Sequence, residues 1–345
     1  MATKKNGPVM ALGAVLAAGL VAPLLTGSAP GFYLEVLMGG LMAGVLYSLV
    51  ALGFVLIFKA SGVFNFAQGS MVLFAALALA RLAEWLPGLT GIPAGLPALA
   101  VAFVLATGIM VILAWLIERI VLRPLVAQDP VALLMATLGV TFFLDGFGQT
   151  IWGSDIYKID LGISKDPTMI LQSTFEGGIL VSKEDLVATV IAAVLVLLLA
   201  LFFQKTATGR ALRAVADDHQ AAQSIGIPLN RIWVIVWAVA GFVALVAGMV
   251  WGSKLGVQFS LSLLALKALP VVILGGFTSI PGAIIGGLVI GVGEKMAEVF
   301  MGPPLIKLWD LAGGGIENWF AYVLALLFLM VRPEGLFGEK HIDRV

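Results

Sequence analysis

Long apolar runs recur along almost the whole chain, and no other feature restricts its fold as strongly. About 20 mainly apolar residues cross the hydrocarbon core of a bilayer as a helix, in which the backbone groups bond to one another. Of the 345 residues, 61% are hydrophobic and 12% are charged, whereas soluble domains have about 45–50% and about 25%. This excess is too large for one buried core. It predicts an all-α, polytopic transmembrane helical bundle of about ten helices, some of them broken.

The apolar runs define the candidate spans. The first run follows Lys4 and Lys5 and could be the hydrophobic region of a cleaved signal peptide, but we interpret it as a retained helix. The eighth run is the weakest, because it contains Lys267 and Pro270. In chain order, the ten candidates are Val9–Leu25, Val36–Phe58, Ser70–Leu86, Leu96–Ile117, Val131–Trp152, Leu186–Phe203, Ile232–Gly252, Leu261–Gly275, Ala283–Met301 and Trp319–Arg332.

The positive charges give the bundle an orientation, because cytoplasmic loops of membrane proteins are enriched in lysine and arginine. With the N-terminus inside, every arginine outside the predicted spans falls on the inner face, and both the N- and C-termini are cytoplasmic. A single transmembrane domain then covers 1–345, with its longest inside segment at 204–231 and its longest outside segment at 154–185. The outside segment could bind an external partner, but we interpret it as a solvated loop.

Composition argues against several kinds of site and partner. The chain has no cysteine, which excludes disulfides, thiolate metal sites and cysteine nucleophiles. Its two histidines are His219 and His341, so a metal site built from histidines is not expected. The formal net charge of +0 provides no basic field for nucleic acid. We therefore predict no metal, no cofactor and no nucleic-acid partner.

The inside segment 204–231 contains a predicted short helix. Residues Arg210–Ile225 include no Pro or Gly and are rich in Ala, a strong helix former. Thr208 is a plausible N-cap, and Gly226 provides a stop signal. The helix is amphipathic. Its apolar side chains are Leu212, Val215, Ala222 and Ile225, and its opposite face carries Arg213, Asp217, Gln220 and Ser224.

An exposed amphipathic helix between two spans has two possible roles. It can dock in a groove of another chain and transmit motion, or it can lie on the inner leaflet. Asp217 and Asp218 balance Arg210 and Arg213, which argues against a strongly lipid-seeking basic helix. The chain has no G-x-x-x-x-G-K-[ST] run, so a partner must hydrolyse ATP if ATP drives transport.

Four stretches together carry a family resemblance. They are GLMAGVLYSLVALGFVLIFKASGVFNFAQGSM (Gly40–Met71), ERIVLRPL (Glu118–Leu125), GRALRAVADDHQAAQSIGI (Gly209–Ile227) and LKALPVVILGGFTSIPGAIIGGLVIGVGE (Leu266–Glu294). In this order they resemble the LivH-type permeases of branched-chain amino-acid ABC importers. Each stretch alone is a weak signal, but the combination is specific and extends over most of the chain.

The resemblance implies a bacterial inner-membrane permease subunit, not an enzyme, that carries branched-chain amino acids or similar small solutes inward. It implies four kinds of partner: a second related permease, two ABC ATPase subunits, an external solute-binding protein and membrane lipid. It also implies that the helix in 204–231 contacts an ATPase. The residues assigned to this coupling contact are Gly209, Arg210, Arg213, Ala216, Asp217, Asp218, Ala221 and Gly226.

The chain departs from the family at one motif. Where the family commonly reads N-F-A-H-G-E, this chain has N-F-A-Q-G-S at Asn65–Ser70. Gln68 and Ser70 supply an amide and a hydroxyl, so any role that needs titration of a histidine or glutamate here is absent. Relatives of the family also carry urea, short amides and other carboxylates, and the substrate therefore stays open.

Two interrupted helices are candidates for the solute path or its gate, because unwound backbone at membrane depth is tolerated where it lines a cavity. The interruptions lie within Ser61–Ser70 and Leu274–Gly287. We favour the alternative that their polar side chains cap helix ends near the inner surface. The candidate side chains are Asn65, Gln68, Thr278 and Ser279.

Asp145 is a further candidate for the solute path, because a carboxylate within a membrane span is costly and usually functional. It could instead lie near the outer interface, close to Gln149. Other charged residues near span ends are expected to extend their head groups to the interface. These are Arg81, Glu294, Lys295 and Glu298.

Three questions remain open from the sequence. Gly39–Gly44 and Gly286–Gly291 share the pattern G-G-L-x-x-G, which could mark an inverted repeat or close helix packing. A secondary transporter or channel is a second functional hypothesis, although Asp145 alone is thin support for ion coupling. An integral-membrane enzyme is a third, but clustered catalytic side chains are lacking.

Overall fold

Helices dominate the part of the chain that the computed structural model describes: residues 30–125, 128–175, 178–217, 219–310 and 315–338. The predicted first span, Val9–Leu25, lies outside these residues. The helices are α1 (Pro30–Ser61), α2 (Gln68–Thr90), α3 (Leu96–Leu116), α4 (Pro130–Trp152), α5 (Lys183–Lys205), α6 (Ala207–Asp217), α7 (His219–Ser224), α8 (Leu229–Leu255), α9 (Leu264–Gly275), α10 (Ile280–Met296), α11 (Gly302–Trp309) and α12 (Ile316–Val331). Two strands, β1 (Pro167–Ile170) and β2 (Ile179–Ser182), form a hairpin. Short π or 3-10 turns occupy Ile117–Leu122, Arg123–Leu125, Phe259–Leu261 and Ala297–Met301.

Within the described residues, fewer helices than predicted can cross a membrane individually. By length and composition, six described helices can cross a membrane individually: α1 to α5 and α8. The eighth and ninth predicted spans form α9 and α10. These two helices are long and apolar enough to cross a membrane only when they are taken together, and they are bent by 115° with respect to each other. The described residues therefore hold six spans, or seven if the bent pair counts as one. The bend has a local cause: Gly276 has a φ of +101°, which favours glycine, and the Ser279 hydroxyl then caps α10.

Helices α1 and α8 form the centre of the bundle. In their most apolar 18-residue segments, 72% and 67% of the residues are buried, against 28% in α3 and α4 and 33% in α5. The outer helices expose large apolar side chains such as Phe142, Phe143 and Leu198. Such side chains can face lipid, because lipid tails are as apolar as the side chains themselves. The all-α, polytopic membrane bundle predicted from composition is confirmed.

Helices α1 and α10 run antiparallel with their backbones in close contact. A Cβ atom on Gly44 would lie 2.6 Å from the carbonyl oxygen of Gly287, and one on Gly291 would lie 2.4 Å from the Gly44 nitrogen. No larger residue fits without moving a helix. The two G-G-L-x-x-G patterns thus face each other, and close packing of small residues accounts for them.

The outside segment 154–185 is more ordered than the predicted solvated loop. Its strands pair antiparallel, and Ile179 and Val181 on β2 are buried. The Glu35 carboxylate near the start of α1 accepts a hydrogen bond from the Leu180 nitrogen at 3.1 Å. Alternate side chains of β2 are buried, and they pack the hairpin against the end of the bundle where α1 begins.

The other end of the bundle gathers the elements that the charge rule places in the cytoplasm. The Trp233 indole at the start of α8 donates to the Ala60 carbonyl at the end of α1, at 3.1 Å. The Leu336 nitrogen, beyond α12, donates to the Leu274 carbonyl at the end of α9, at 2.7 Å. Helix α6 lies at this same end.

The glycine contact between α1 and α10 yields a stability prediction. In Gly291→Ala, the new methyl group meets the α1 backbone, and we expect a loss of about 1–3 kcal/mol as for an overpacked core. Gly39→Ala on α1 is the matched control, because nothing lies within 4 Å of its Cβ position. Thermal unfolding of the purified protein in detergent should show a lower Tm for Gly291→Ala alone. Equal Tm values for both variants would contradict the close contact.

Candidate functional site

Helix α6 is seated against the end of α5 at the cytoplasmic face. The Thr206 hydroxyl accepts a hydrogen bond from the Gly209 nitrogen at 3.1 Å, so the cap is Thr206 and the predicted Thr208 cap is wrong. A Cβ atom on Gly209 would lie 2.0 Å from the Phe203 carbonyl oxygen. Glycine at this position therefore permits the close approach of α6 to α5.

The predicted apolar face of the cytoplasmic helices is confirmed except at one end. The side chains of Leu212, Val215 and Ala222 are buried, whereas Ile225 is 75% exposed. Ile225 leaves the buried face because the chain turns directly after it at Gly226, which has a φ of +85°. The role of Gly226 as a stop signal is thus confirmed.

Arg210 turns back toward α5, and so does Arg213 on the predicted polar face. The Arg213 guanidinium donates to the carbonyls of Phe203 and Gln204. The Arg210 guanidinium donates to the Lys205 carbonyl at 3.2 Å. Carbonyls in the last turn of a helix lack intrahelical partners. The two arginines supply those partners and tie α6 to α5.

The remaining residues assigned to coupling differ in exposure. Ala216 on α6 is half-buried, and Ala221 on α7 is exposed. The side chain of Asp217 and the whole of Asp218 lie outside the described residues. Among the described coupling residues, Arg210, Ala221 and Gly226 are exposed, and Ala216 is half-buried.

A cleft of about 180 Å³ lies between α6 and the break between α9 and α10. The Lys59 ammonium at the end of α1 donates to the Thr278 carbonyl at 3.1 Å. The Ser279 hydroxyl accepts from the Gly282 nitrogen at 3.0 Å and caps α10. Thr278, Ser279 and Arg213 all line this cleft, which we name the cytoplasmic cleft. The two candidates from the second interruption thus lie at the inner end of the bundle, as favoured from the sequence.

Five aromatic rings pack together next to the cytoplasmic cleft. Phe64 is the centre of this group, with ring centroids 5.0 Å from Phe54, 4.7 Å from Phe66 and 6.0 Å from Phe277. Phe277 in turn lies 5.2 Å from Phe58. We name these five residues the phenylalanine cluster. It joins α1, the chain between α1 and α2, and the break between α9 and α10.

The first interruption packs against α4, and its position relative to the inner surface stays a prediction. The Thr137 hydroxyl on α4 donates to the Phe64 carbonyl at 3.2 Å, and the Phe66 nitrogen lies 3.4 Å from the same hydroxyl. Thr137 is seven residues beyond Pro130, the first residue of α4, or about 10 Å along the helix. The unwound chain before α2 is therefore held against α4, with Asn65 and Ala67 buried and Phe66 exposed.

Asn65 and Gln68 in this interruption are both fully buried. The Asn65 side-chain oxygen accepts from the Ala67 nitrogen at 3.1 Å and closes a tight turn. The Gln68 amide packs against Gly53 of α1, and within the described residues neither its oxygen nor its nitrogen has a hydrogen-bond partner. Buried amides are normally hydrogen-bonded, so Gln68 is an exception among the described residues.

Asp145 lines a recess of about 190 Å³ on the far side of the phenylalanine cluster. The recess lies between the start of α2, the middle of α4 and the start of α9. Its lining is mainly apolar, with Phe54, Phe64 and Phe66 shared with the phenylalanine cluster. We name it the outer recess. Its polar lining consists of Ser70, Thr141, Asp145 and Ser262.

The structure also contains an ionic network that the sequence analysis missed. Lys267 on α9 lies 3.7 Å from the Glu294 carboxylate on α10 and 3.6 Å from Glu317 on α12. Lys295 pairs with Glu317 at 3.0 Å, and Glu298 accepts from the Glu317 nitrogen at 2.9 Å. Glu294 and its neighbours were expected to reach for the interface, but Glu294 is buried and its charge is compensated by Lys267. In the sequence, the lysine inside the eighth apolar run is the feature that indicates such a network.

Comparisons with known proteins agree on one family. The family described as branched-chain amino acid transport system / permease component matches residues 36–332. The high-affinity branched-chain amino acid transport system permease protein BraD of Pseudomonas aeruginosa is 28% identical over 91% of this chain and 98% of its own length. Protein LivH of Escherichia coli, described in the same words, is 26% identical over 91% of this chain and 98% of its own length. PsaBC from Streptococcus pneumoniae in complex with Fab covers 87% of this chain and 92% of its own, with 15% identity and a TM-score of 0.41, too low to bear on the fold.

The ionic network predicts how the late helices lose stability. Lys267→Met leaves the buried Glu294 carboxylate without its partner, and we expect a loss of about 1–3 kcal/mol, below the range for a fully buried pair because Lys267 is partly exposed. Lys307→Met, at an exposed position of α11, is the control and should be near neutral. The double variant Lys267→Met with Glu294→Gln should recover most of the lost Tm in detergent. No recovery would contradict the pairing.

Proposed function

This chain belongs to the family of branched-chain amino acid transport system permease components, and we propose that it carries branched-chain amino acids or similar small solutes inward through a path shared with a second, related permease. It is a multi-pass, inner-membrane permease subunit of an ABC importer. We further infer that two ATPase subunits drive it and that an external solute-binding protein delivers the solute. Two of the relatives are described as branched-chain amino acid permeases, which supports this choice of substrate.

One observation carries the proposed mechanism: α6 and the break between α9 and α10 line the same cytoplasmic cleft. A partner that docks on α6 and α7 can therefore act on the break without a long relay. Gly209 and Arg213 hold α6 firmly to α5, so a push on α6 moves a rigid unit. A groove on an ATPase subunit is a suitable receptor for such a short helix.

The phenylalanine cluster is the gate in this mechanism. It lies between the outer recess, which it helps to line, and the cytoplasmic cleft, where Phe277 is followed directly by Thr278. The Lys59 hydrogen bond to the Thr278 carbonyl ties the break to α1. When the ATPases close and displace α6, the break shifts, Phe277 separates from Phe58 and Phe64, and solute passes inward. Access then alternates by movement of one part of the bundle against the other.

Reconstituted uptake tests the function directly. The experiment places this chain with its candidate permease, ATPases and binding protein in proteoliposomes, with labelled leucine, urea and a short amide in parallel. We expect leucine uptake that requires both ATP and the binding protein. Urea or amide uptake would retain the importer and replace the substrate. Uptake by this chain alone, without ATP but sensitive to an ion gradient, would favour the secondary-transporter hypothesis.

The docking of α6 and α7 predicts a separable loss of coupling. Ala216→Glu or Ala221→Glu adds bulk and charge to the proposed ATPase contact, and we expect at least a severalfold loss of ATP-driven uptake and weaker co-purification with the ATPases. Ala94→Glu, exposed before the start of α3, is the matched control at the opposite end of the bundle. The amount of inserted chain should be equal in all three. Unchanged uptake in both cytoplasmic variants would remove the coupling assignment.

A further inference from the structure

An open groove of about 520 Å³ lies between α3 and α4 on the surface of the bundle, and all the residues that line it are apolar. Both helices pack against α2. The floor of the groove is buried at Leu113 and Leu144, whereas Ile120 and Phe143 on its walls are exposed. We name it the α3–α4 groove. Its chemistry fits a hydrocarbon chain.

The length of the groove is close to the depth of one membrane leaflet. Along α4 its lining extends from Ala136 to Phe147, which is about 16 Å at the rise of an α-helix. The hydrocarbon core of a bilayer is about 30 Å thick, so one leaflet contributes about 15 Å. A neighbouring helix that crosses the membrane runs along both leaflets, whereas the acyl chain of a lipid occupies one. The length therefore favours a lipid over a helix of another protein.

Gly139 keeps the groove open on the side of α4. It lines the groove, it is exposed, and nothing lies within 4 Å of the position that a Cβ atom would take. Glycine weakens a helix relative to other residues, and no close contact among the described residues accounts for it here. A larger side chain at this position would project into the groove.

Helix α3 continues into a π turn, Ile117–Leu122, that forms part of the groove. Within this turn the Glu118 carboxylate is fully buried. It accepts two hydrogen bonds from the Arg123 guanidinium, at 3.1 and 2.9 Å. The charge of Arg123 is therefore compensated within the protein. Single π turns inside helices are frequent at functional sites.

Arg119 is the cation of the π turn that this pair leaves over. It is exposed, it precedes the groove residue Ile120, and no ion pair among the described residues includes it. Its guanidinium carbon lies 5.4 Å from the ring centre of Trp115. Tryptophan is enriched at membrane interfaces, where lipid head groups lie. A guanidinium at such a place is suited to a lipid phosphate.

We propose that the α3–α4 groove binds an anionic phospholipid, with one acyl chain in the groove and the phosphate on Arg119. The π turn links the two parts of this site, because it carries Arg119 and also forms part of the apolar wall. The charge rule predicts that this end of α3 faces the cytoplasm, and the cytoplasmic leaflet is the one with a negative surface potential. The inference goes beyond transport, since it holds whichever solute the protein carries.

Lipid binding to the purified chain in detergent tests the head-group contact. The probes are dioleoylphosphatidylglycerol and, as the zwitterionic comparison, dioleoylphosphatidylcholine. We expect native mass spectrometry to show one retained phosphatidylglycerol per chain, bound about fivefold more tightly than phosphatidylcholine, the factor for one basic group beside anionic lipid. Arg119→Gln should abolish this preference. Arg231→Gln, at an exposed arginine near the start of α8, is the control and should retain it.

A second pair of variants tests the acyl-chain contact. Gly139→Leu fills the groove, and we expect phosphatidylglycerol to bind about tenfold more weakly or worse, because each displaced methylene weakens binding about fourfold. Gly146→Leu on the same helix is the matched control. Its position is also exposed, with nothing within 4 Å of the Cβ position, and it lies outside the groove lining. Both variants should have the Tm of the wild type in detergent without added lipid.

The outcomes separate a lipid from other occupants. Equal affinity of the wild type for both lipids, or wild-type affinity for phosphatidylglycerol in Gly139→Leu, overturns the proposal. Normal lipid binding by Gly139→Leu together with loss of the second permease on co-purification assigns the groove to a protein contact instead. If Gly139→Leu inserts poorly, the lipid preference of the wild type and its loss in Arg119→Gln still decide. None of these readouts depends on ATP-driven uptake, so a failure of the proposed transport function leaves them unchanged.

Discussion

The glycine contact between α1 and α10 is the interaction on which the rest of the structure depends. Backbones in this contact approach within distances that exclude any side chain at Gly44, Gly287 and Gly291. The pair runs antiparallel, so the end of α1 meets the start of α10. As a result Phe58 reaches Phe277, and Lys59 reaches the Thr278 carbonyl. Without this contact, the two interrupted segments would not lie next to each other.

The bundle thereby has two cavities, the cytoplasmic cleft and the outer recess, with the phenylalanine cluster next to both. Irregular backbone within a membrane protein needs internal hydrogen-bond partners, and the two interruptions find such partners in different ways. The first is bonded to Thr137 of α4. The second lies at the cytoplasmic end and is capped by Ser279. We propose that a solute moving from the outer recess to the cytoplasmic cleft passes the phenylalanine cluster, and that movement of α6 opens this barrier.

Hydropathy was sufficient for the helical class and for the amphipathic helix after α5, because these depend on local composition and period. The orientation given by the charges stays a prediction. Hydropathy and charge could not give the span count, since an apolar run does not reveal whether the chain turns at Gly276. Nor could they give the burial of Asn65 and Gln68. That burial depends on how α1 and α4 pack against the chain between α1 and α2. The pairing of Lys267 with Glu294 was hidden for the same reason: the residues are distant in sequence, and each resembles an isolated charge. Two predicted features, Val9–Leu25 and Asp218, lie outside the described residues and stay predictions.

Sided labelling of single thiols tests most directly whether the phenylalanine cluster separates the two regions. The natural absence of cysteine allows Thr278→Cys and Ser262→Cys to be compared in oriented vesicles with a membrane-impermeant maleimide applied from the cytoplasmic side. Without nucleotide, the thiol at position 278 should react and the thiol at position 262 should not, unless Phe277→Ala is added to open the cluster. Equal reaction at both positions with the cluster intact would contradict a barrier, and with it the proposed gate.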